Sequence, residues 1–337
     1  MNHAATLWFG LFRSRPGGAR VLSPRAWTCL GAFAIPLWST WPALALWSLE
    51  MPAFECLTIA FGVGWLVLAL LERPVSQRDM QAAAAGPAES TPGRWPHTRW
   101  LSWVPAIACA IGLCGSNAFH ILATHYIPAA EANLISYLWP VEIVVAGAVL
   151  GLFRLRPRQV IGLGLGFAGA LVLMSGGTLA PAATGGTLAP SATGVMLSLS
   201  ATGAALALLS GLSWAAYCVF RLKWPFQPAR NFLGTGCAIS TAFCAALHFA
   251  LEPTVVPTLG AFGAAAAVGV VPLALGNFVW DEGFRRGDSQ LLAVLAYATP
   301  LCSALLLGAI GLASLTWGLL VGAVTIVTAG ALSRATP

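Results

Sequence analysis

Charge is scarce in this chain. Asp, Glu, Lys and Arg make up 8% of its 337 residues, against about 25% in a soluble domain. Apolar residues make up 58%, more than a water-facing chain of this length could hide, whereas a bilayer accommodates them. None of the eight cysteines (Cys29, Cys56, Cys109, Cys114, Cys218, Cys237, Cys244, Cys302) stands in a C-x-x-C or metal-ligand spacing, so no metal site and no cofactor is expected. They fall within or at the edge of apolar segments and read as small buried hydrophobes. No ATP-binding cassette or other motor is visible. The net charge of +6 comes without a basic helix or an aromatic-interleaved basic patch, which argues against a nucleic-acid partner.

What is present is a series of apolar segments: 27–49, 53–71, 100–122, 129–151, 159–176, 197–219, 231–250, 257–279, 289–311 and 313–333. Each has about 20 residues, enough to cross a hydrocarbon core of about 30 Å. The expected fold class is an all-α polytopic membrane protein of ten transmembrane helices. The first segment is too long for a cleavable signal peptide and reads as a retained helix.

The 17 basic residues check this count independently. Arg13, Arg15, Arg20 and Arg25 precede the first span, and Arg73, Arg78, Arg94 and Arg99 lie between the second and third. Arg154, Arg156 and Arg158, then Arg221, Lys223 and Arg230, then Arg285 and Arg286 occupy every second gap after that, and Arg334 follows the last span. The intervening gaps carry Glu50, Glu131 and Glu252 but no Lys or Arg. Basic loops stay cytoplasmic, so both termini are expected inside an inner or plasma membrane. The lipid bilayer, with anionic inner-leaflet lipid, is the expected partner of this charge, and a monomer is compatible with it.

The expected organisation is a cytoplasmic tail at 1–26, a five-helix repeat at 27–176 with a cytoplasmic loop at 72–99, an extracytoplasmic low-complexity loop at 177–196, a second five-helix repeat at 197–333 and a cytoplasmic end at 334–337. The 72–99 loop is Ala/Gly/Pro-rich. The outer loop is a tandem nine-residue duplication, GGTLAPAAT-GGTLAPSAT, too short for a solenoid.

Residues 115–140 align without gaps on 275–300, at an offset of 160. Asn117 then falls on Asn277, Tyr137 on Tyr297 and Pro140 on Pro300. Both stretches cover the third and fourth spans of a five-span half. Five is odd, so the second copy enters the membrane upside down. Inverted repeats mark secondary transporters, with the substrate near the midplane between the halves.

Three helical stripes supply candidate site residues. Asn133, Ser136, Tyr137 and Pro140 are spaced i, i+3, i+4 and i+7. Ser116, Asn117, His120 and Thr124 form a second stripe, and Ser210, Ser213, Trp214 and Tyr217 a third. Any one such residue is most simply interhelical glue; jointly they are more polar than packing needs and point to a cavity. Trp38, Trp139 and Trp214 suit an aromatic solute. Trp41 and Trp280, near span ends, also fit an interfacial belt. The substrate-cavity set is therefore Trp38, Ser39, Asn117, His120, Asn133, Tyr137, Trp139, Trp214, Tyr217, Asn277 and Tyr297. Pro36, Pro42, Pro140 and Pro300 are the expected hinges, since proline bends spans where transporters bind or move.

Glu142 is the one acidic residue that hydropathy puts deep in a span. Such a carboxylate is a functional candidate, and ion coupling is one reading. It falls off the Asn133–Tyr137–Pro140 stripe, so a structural carboxyl is the preferred one. Asp281, Glu282, Arg285, Arg286 and Asp288 read as a solvated loop with local ion pairs, with gating as the alternative. Gly164, Gly166 and Gly169 match G-x-G-x-x-G but sit inside an apolar span. The nucleotide motif needs a preceding strand, so Gly162 and Gly166 read instead as a close-packing face.

The motifs NLISYLWP (133–140), SGLSWAAYCVF (210–220) and VWDEGFRRGDSQLLAVLAYATPLCSALLLG (279–308) resemble the drug/metabolite transporter superfamily with two EamA-type repeats. Within it they are similar to the YddG-type aromatic amino acid exporters, over about residues 27–333. The resemblance implies a basket-like fold whose central cavity is lined by spans one, three, four, six, eight and nine. It also implies export from the cytoplasm.

These readings converge on a secondary transporter, not an enzyme, that exports a small organic solute, foremost an aromatic or other large neutral amino acid. Its rivals are an exporter of another metabolite or drug and a membrane-embedded enzyme. The enzyme would need clustered catalytic groups, and His120 and His125 do not share a helical face. A channel would need a continuous polar pore.

Overall fold

The computed structural model describes residues 23–71, 104–174, 200–223, 232–312 and 317–333. The 72–99 loop, the duplicated 177–196 loop, the 334–337 end and most of the N-terminal tail lie outside them. Among the described residues every regular element is helical. In chain order these are α1 (Pro24–Ala32), α2 (Ala34–Trp38), α3 (Trp41–Trp47), α4 (Ala53–Leu71), α5 (Val104–Ala123), α6 (Ala129–Ser136), α7 (Trp139–Val149), α8 (Pro157–Met174), α9 (Ala201–Lys223), α10 (Phe232–Leu251) and α11 (Leu259–Val268). A π-helical segment (Gly269–Gly276), α12 (Asn277–Arg286), α13 (Ser289–Leu295), α14 (Ala298–Ala309) and α15 (Trp317–Ser333) follow.

Six stretches are long and apolar enough to cross a membrane: Pro24–Trp47, Ala53–Leu70, Glu131–Val149, Ala201–Lys223, Leu233–Leu251 and Leu259–Arg286. The pair α13 and α14, bent by 40°, makes a seventh candidate. Three shorter apolar helices, Ile107–Ala123, Pro157–Val172 and Leu320–Ser333, each border residues outside the described set. The chain is thus an all-α, multi-pass membrane protein. Its outward faces carry exposed Ile111, Leu66, Leu212, Phe243, Val324 and Val327, as lipid-facing surfaces require.

Four helix breaks have one cause. They fall at Phe33, Ser39–Thr40, Tyr137–Leu138 and Ala296–Tyr297, just ahead of Pro36, Pro42, Pro140 and Pro300. A proline ring clashes with the carbonyl four residues back and offers no N–H to it, so the helix yields there. Pro272 is accommodated differently, inside the π-helical segment.

The packing repeats itself about the middle of the chain. α8 packs on α15 and α4 on α10, each pair joining equivalent spans of the two halves. α9 packs on α5, as α1 packs on α12; α10 packs on α5, as the π-helical segment packs on α4. Exchanging the halves preserves these contacts. Among the described residues the glycines with positive φ are Gly151 (73°) and Gly311 (75°), again 160 positions apart.

Gly162 and Gly169 sit against α15, where an added Cβ at Gly162 would lie 2.9 Å from the Ala329 carbonyl oxygen and one at Gly169 3.1 Å from that of Gly322. Gly166 lies under the Tyr297 ring. Gly162, Gly166 and Gly169 form a packing face, whereas Gly164 faces open space.

The two ends of the molecule differ in charge. Arg25, Arg154, Arg156, Arg158, Arg221, Lys223, Arg285 and Arg286 are the described basic residues, and their connections meet at one end. Arg286 lies 4.5 Å over the Trp27 ring, and Gln159 Nε2 donates to Gln290 Oε1 at 3.1 Å. The opposite end is tied by carboxylates. Glu252 accepts the backbone N–H groups of Phe54 (3.0 Å) and Glu55 (3.2 Å), capping α4 across the fold. Glu55 accepts from Val255 N–H and Glu50 from Thr258 N–H. The buried His248 ring lies 3.0 Å from both Glu252 and Thr254.

Candidate functional site: an indole cluster between a pocket and a buried ion pair

Trp38, Trp139, Trp214 and Trp280 meet where α2, α7, α9 and α12 cross. Trp38 and Trp139 each touch the other three rings, with centroids 4.9–6.5 Å apart and mostly edge to face, the arrangement indole quadrupoles favour. Trp38 Nε1 donates to Asn277 Oδ1 at 3.0 Å, and Trp280 Nε1 donates to Cys218 Sγ at 3.4 Å. Stacked against Trp280 is Phe284. The four indoles fill the centre of the bundle.

Toward the carboxylate-tied end lies a pocket of about 250 Å³, lined by Trp41, Ala45, Ser48, Leu57, Asn117, His120, Ile121 and Val268 among others. Two of its polar side chains, Asn117 and His120, can present acceptors. Asn117 Nδ2 donates to the Leu113 carbonyl at 2.7 Å, leaving its amide oxygen as the accepting group. His120 Nδ1 lies 3.2 Å from Ser136 Oγ, whose own hydrogen goes to the Ala207 carbonyl. Nδ1 therefore carries the proton and Nε2 is an acceptor.

Toward the arginine-bearing end lies a buried ion pair. Asp281 Oδ1 accepts from Tyr217 Oη (2.8 Å) and Arg221 Nε (2.8 Å). Its Oδ2 accepts from Arg221 Nη2 (2.9 Å) and Arg285 Nε (2.9 Å). Arg221 is 2% exposed and Asp281 7%. Glu282 joins Arg285 and Arg286 beside it. The reading of Asp281 as part of a solvated loop is corrected here: α12 runs on to Arg286, and four donors saturate a buried carboxylate.

The expected cavity residues separate into groups. Trp38, Trp139 and Trp214 share the indole cluster; Asn277 is tied to it, and Tyr217 bridges Trp214 (5.4 Å) to Asp281. Asn117 and His120 line the pocket. Ser39 is buried and its hydroxyl is shared between the Ile35 and Thr299 carbonyls, tying the α2–α3 break to α14. Tyr137 sits half-buried at the α6–α7 break. Tyr297, fully buried, packs on Gly166 and Phe167 of α8 instead of on the indoles. Asn133 is exposed and does not line the pocket. The Oε2 of Glu142 is buried without a hydrogen-bond partner among the described residues and faces Gly211 of α9.

Sequence reasoning weighed Trp41 and Trp280 against an interfacial belt and left them out of the cavity set, and it did not single out Ile121 or the pairing of Arg221 with Asp281. The offset of 160 carried the signal: pocket positions 117, 120 and 121 map onto Asn277, Trp280 and Asp281.

An all-helical membrane bundle with exchangeable halves, proline-broken helices and an aromatic centre defines a membrane transporter. The EamA-like transporter family matches residues 25–175 and 201–334, and the chain belongs to that family. It is similar to the aromatic amino acid exporter YddG of Ancylobacter novellus, 31% identical over 310 residues, which are 91% of this chain and 96% of the relative. A solved crystal structure matches with a TM-score of 0.71 at 30% identity, over 92% of this chain and 98% of that one.

Proposed function

We propose that this chain exports aromatic or other large neutral amino acids by alternating access, driven by a gradient or by facilitation. The observation that carries this reading is the four-indole cluster between the pocket and the ion pair. Flat rings there offer edge-to-face partners to an aromatic side chain. The acceptors Asn117 and His120 suit an ammonium group, which has only donors to give. The relative's name supports the same substrate class over another metabolite or drug. Pro36, Pro42, Pro140 and Pro300 serve as the hinges.

The division into five-helix repeats at 27–176 and 197–333, ten spans in all, is part of this reading. So is an inner-membrane location with both termini cytoplasmic. Cysteine labelling is expected to find 72–99 inside and 177–196 outside; one basic connection on the outside overturns the orientation. The substrate is tested by efflux of a panel of radiolabelled amino acids from proteoliposomes. Phenylalanine, tyrosine and tryptophan are expected to outrun aliphatic and charged amino acids. Equal rates across the panel, or none, overturn the substrate.

A further inference from the structure

Pocket and ion pair occupy equivalent places in the two halves. The pocket lies between α3 and α5 at one end, lined by Asn117, His120 and Ile121. Their counterparts at the offset of 160 are Asn277, Trp280 and Asp281 of α12, where Arg221 of α9 closes the equivalent gap. Alternating access in an inverted-repeat protein exchanges the conformations of its halves. Opening the arginine-bearing end therefore means parting α9 from α12 at Arg221 and Asp281.

Parting them is costly, because Arg221 is drawn away from its carboxylate in a low-dielectric interior and Asp281 keeps only Arg285 of its own helix as a charged partner. An α-amino acid carries the same two charges in complementary order. Its carboxylate fits the planar guanidinium fork of Arg221, a bidentate match, and its ammonium replaces the guanidinium as donor to Asp281. Trp280 adjoins Asp281 on α12, and Trp214 stands seven residues from Arg221 on α9, about 10.5 Å of helical rise toward the centre, where an aromatic side chain would lie.

Resting on the exporter reading above, we infer that Arg221 and Asp281 form the entry subsite for the zwitterionic head of an α-amino acid. The substrate opens the gate by taking the place of each partner for the other. Molecules with one of the two charges replace one partner of the Arg221–Asp281 pair but not the other, and do not open it. Tyr217, hydrogen-bonded to Asp281 and in ring contact with Trp214, is the positioning residue between head and ring.

The test uses the full chain in proteoliposomes preloaded with labelled phenylalanine, 2-phenylethylamine or 3-phenylpropionate. In the wild type each single-charge analogue is expected to leave at about one tenth the phenylalanine rate or less, the scale set by losing a charged hydrogen-bond partner. If phenylalanine moves and both analogues keep pace with it, the subsite is overturned while the exporter reading stands. If phenylalanine does not move, the exporter reading itself fails. Asp281→Asn is expected to raise 3-phenylpropionate relative to phenylalanine about tenfold, and Arg221→Gln to raise 2-phenylethylamine likewise. Each is a ratio within one preparation, so a loss of folded protein cancels. Unchanged ratios overturn the assignment, and the wild-type comparison decides it even where a variant does not fold.

Discussion

Gly151 and Gly311 hold the same left-handed backbone, φ 73° and 75°, each just past the end of the second piece of a broken span. Their separation of 160 residues is the offset at which Asn117 meets Asn277 and Pro140 meets Pro300. A chain that turns the same way at corresponding points in its two halves carries one structural unit twice.

Space is open around both glycines, with nothing within 4 Å of an added Cβ, so the backbone alone opposes a side chain there. Gly151→Ala and Gly311→Ala are each expected to destabilise by about 1–2 kcal/mol. Gly164, equally open but helical, is the control: Gly164→Ala is expected to stabilise by roughly 0.5–1 kcal/mol. Thermal unfolding in detergent reads all three.

Trp214→Ala removes an edge-to-face partner from the indole cluster, worth about 0.5–1.5 kcal/mol beyond area. The rate ratio of phenylalanine over leucine is expected to fall about three- to tenfold. Asn117→Ala is expected to slow both solutes alike, because a pocket acceptor serves the head group they share. Efflux assays with both substrates check the contrast.

The Oε2 of Glu142 faces Gly211 and has no hydrogen-bond partner among the described residues. Glu142→Gln keeps its shape and cannot release a proton. Transport rate and its pH dependence are expected to match the wild type. A folded, abundant variant that loses its pH response or its proton-driven accumulation makes Glu142 the coupling group instead.

At the carboxylate-tied end, the Thr258 side chain and backbone N–H hold the Glu50 carboxyl below its ordinary pKa. A depressed folded-state pKa gives stability that is present above the unfolded value and is lost as pH falls through the folded one. The difference in Tm between wild type and Glu50→Gln is therefore expected at neutral pH and should close on acidification. The effect is small, since Glu50 is exposed. A pH series of melting curves measures it.

Segment length and the alternation of basic residues made the membrane fold legible, and the prolines marked where spans would break. The site was legible only in part, for reasons of geometry. The stripe from Asn133 to Pro140 presumes one unbroken helix, but the helix is interrupted at Tyr137–Leu138, and Asn133 is exposed while Pro140 is buried. Asp281 reads as a loop residue because averaged hydropathy falls at Asp281–Glu282. Its partner Arg221 lies 60 residues away, beyond any local pattern. The π-helical segment leaves no periodic trace, since Pro272 stands in a run of apolar and glycine residues whose faces are nearly alike.

The cap on α4 has a consequence for biosynthesis. The N–H of Phe54 finds its acceptor in Glu252, 198 residues further along the chain. At ~5–20 residues per second the ribosome needs roughly 10–40 s to supply it. Through that interval the nascent second span stands in the membrane with an unsatisfied helix end. A chain truncated after its first half never acquires the carboxylate, and its second span keeps that bare end.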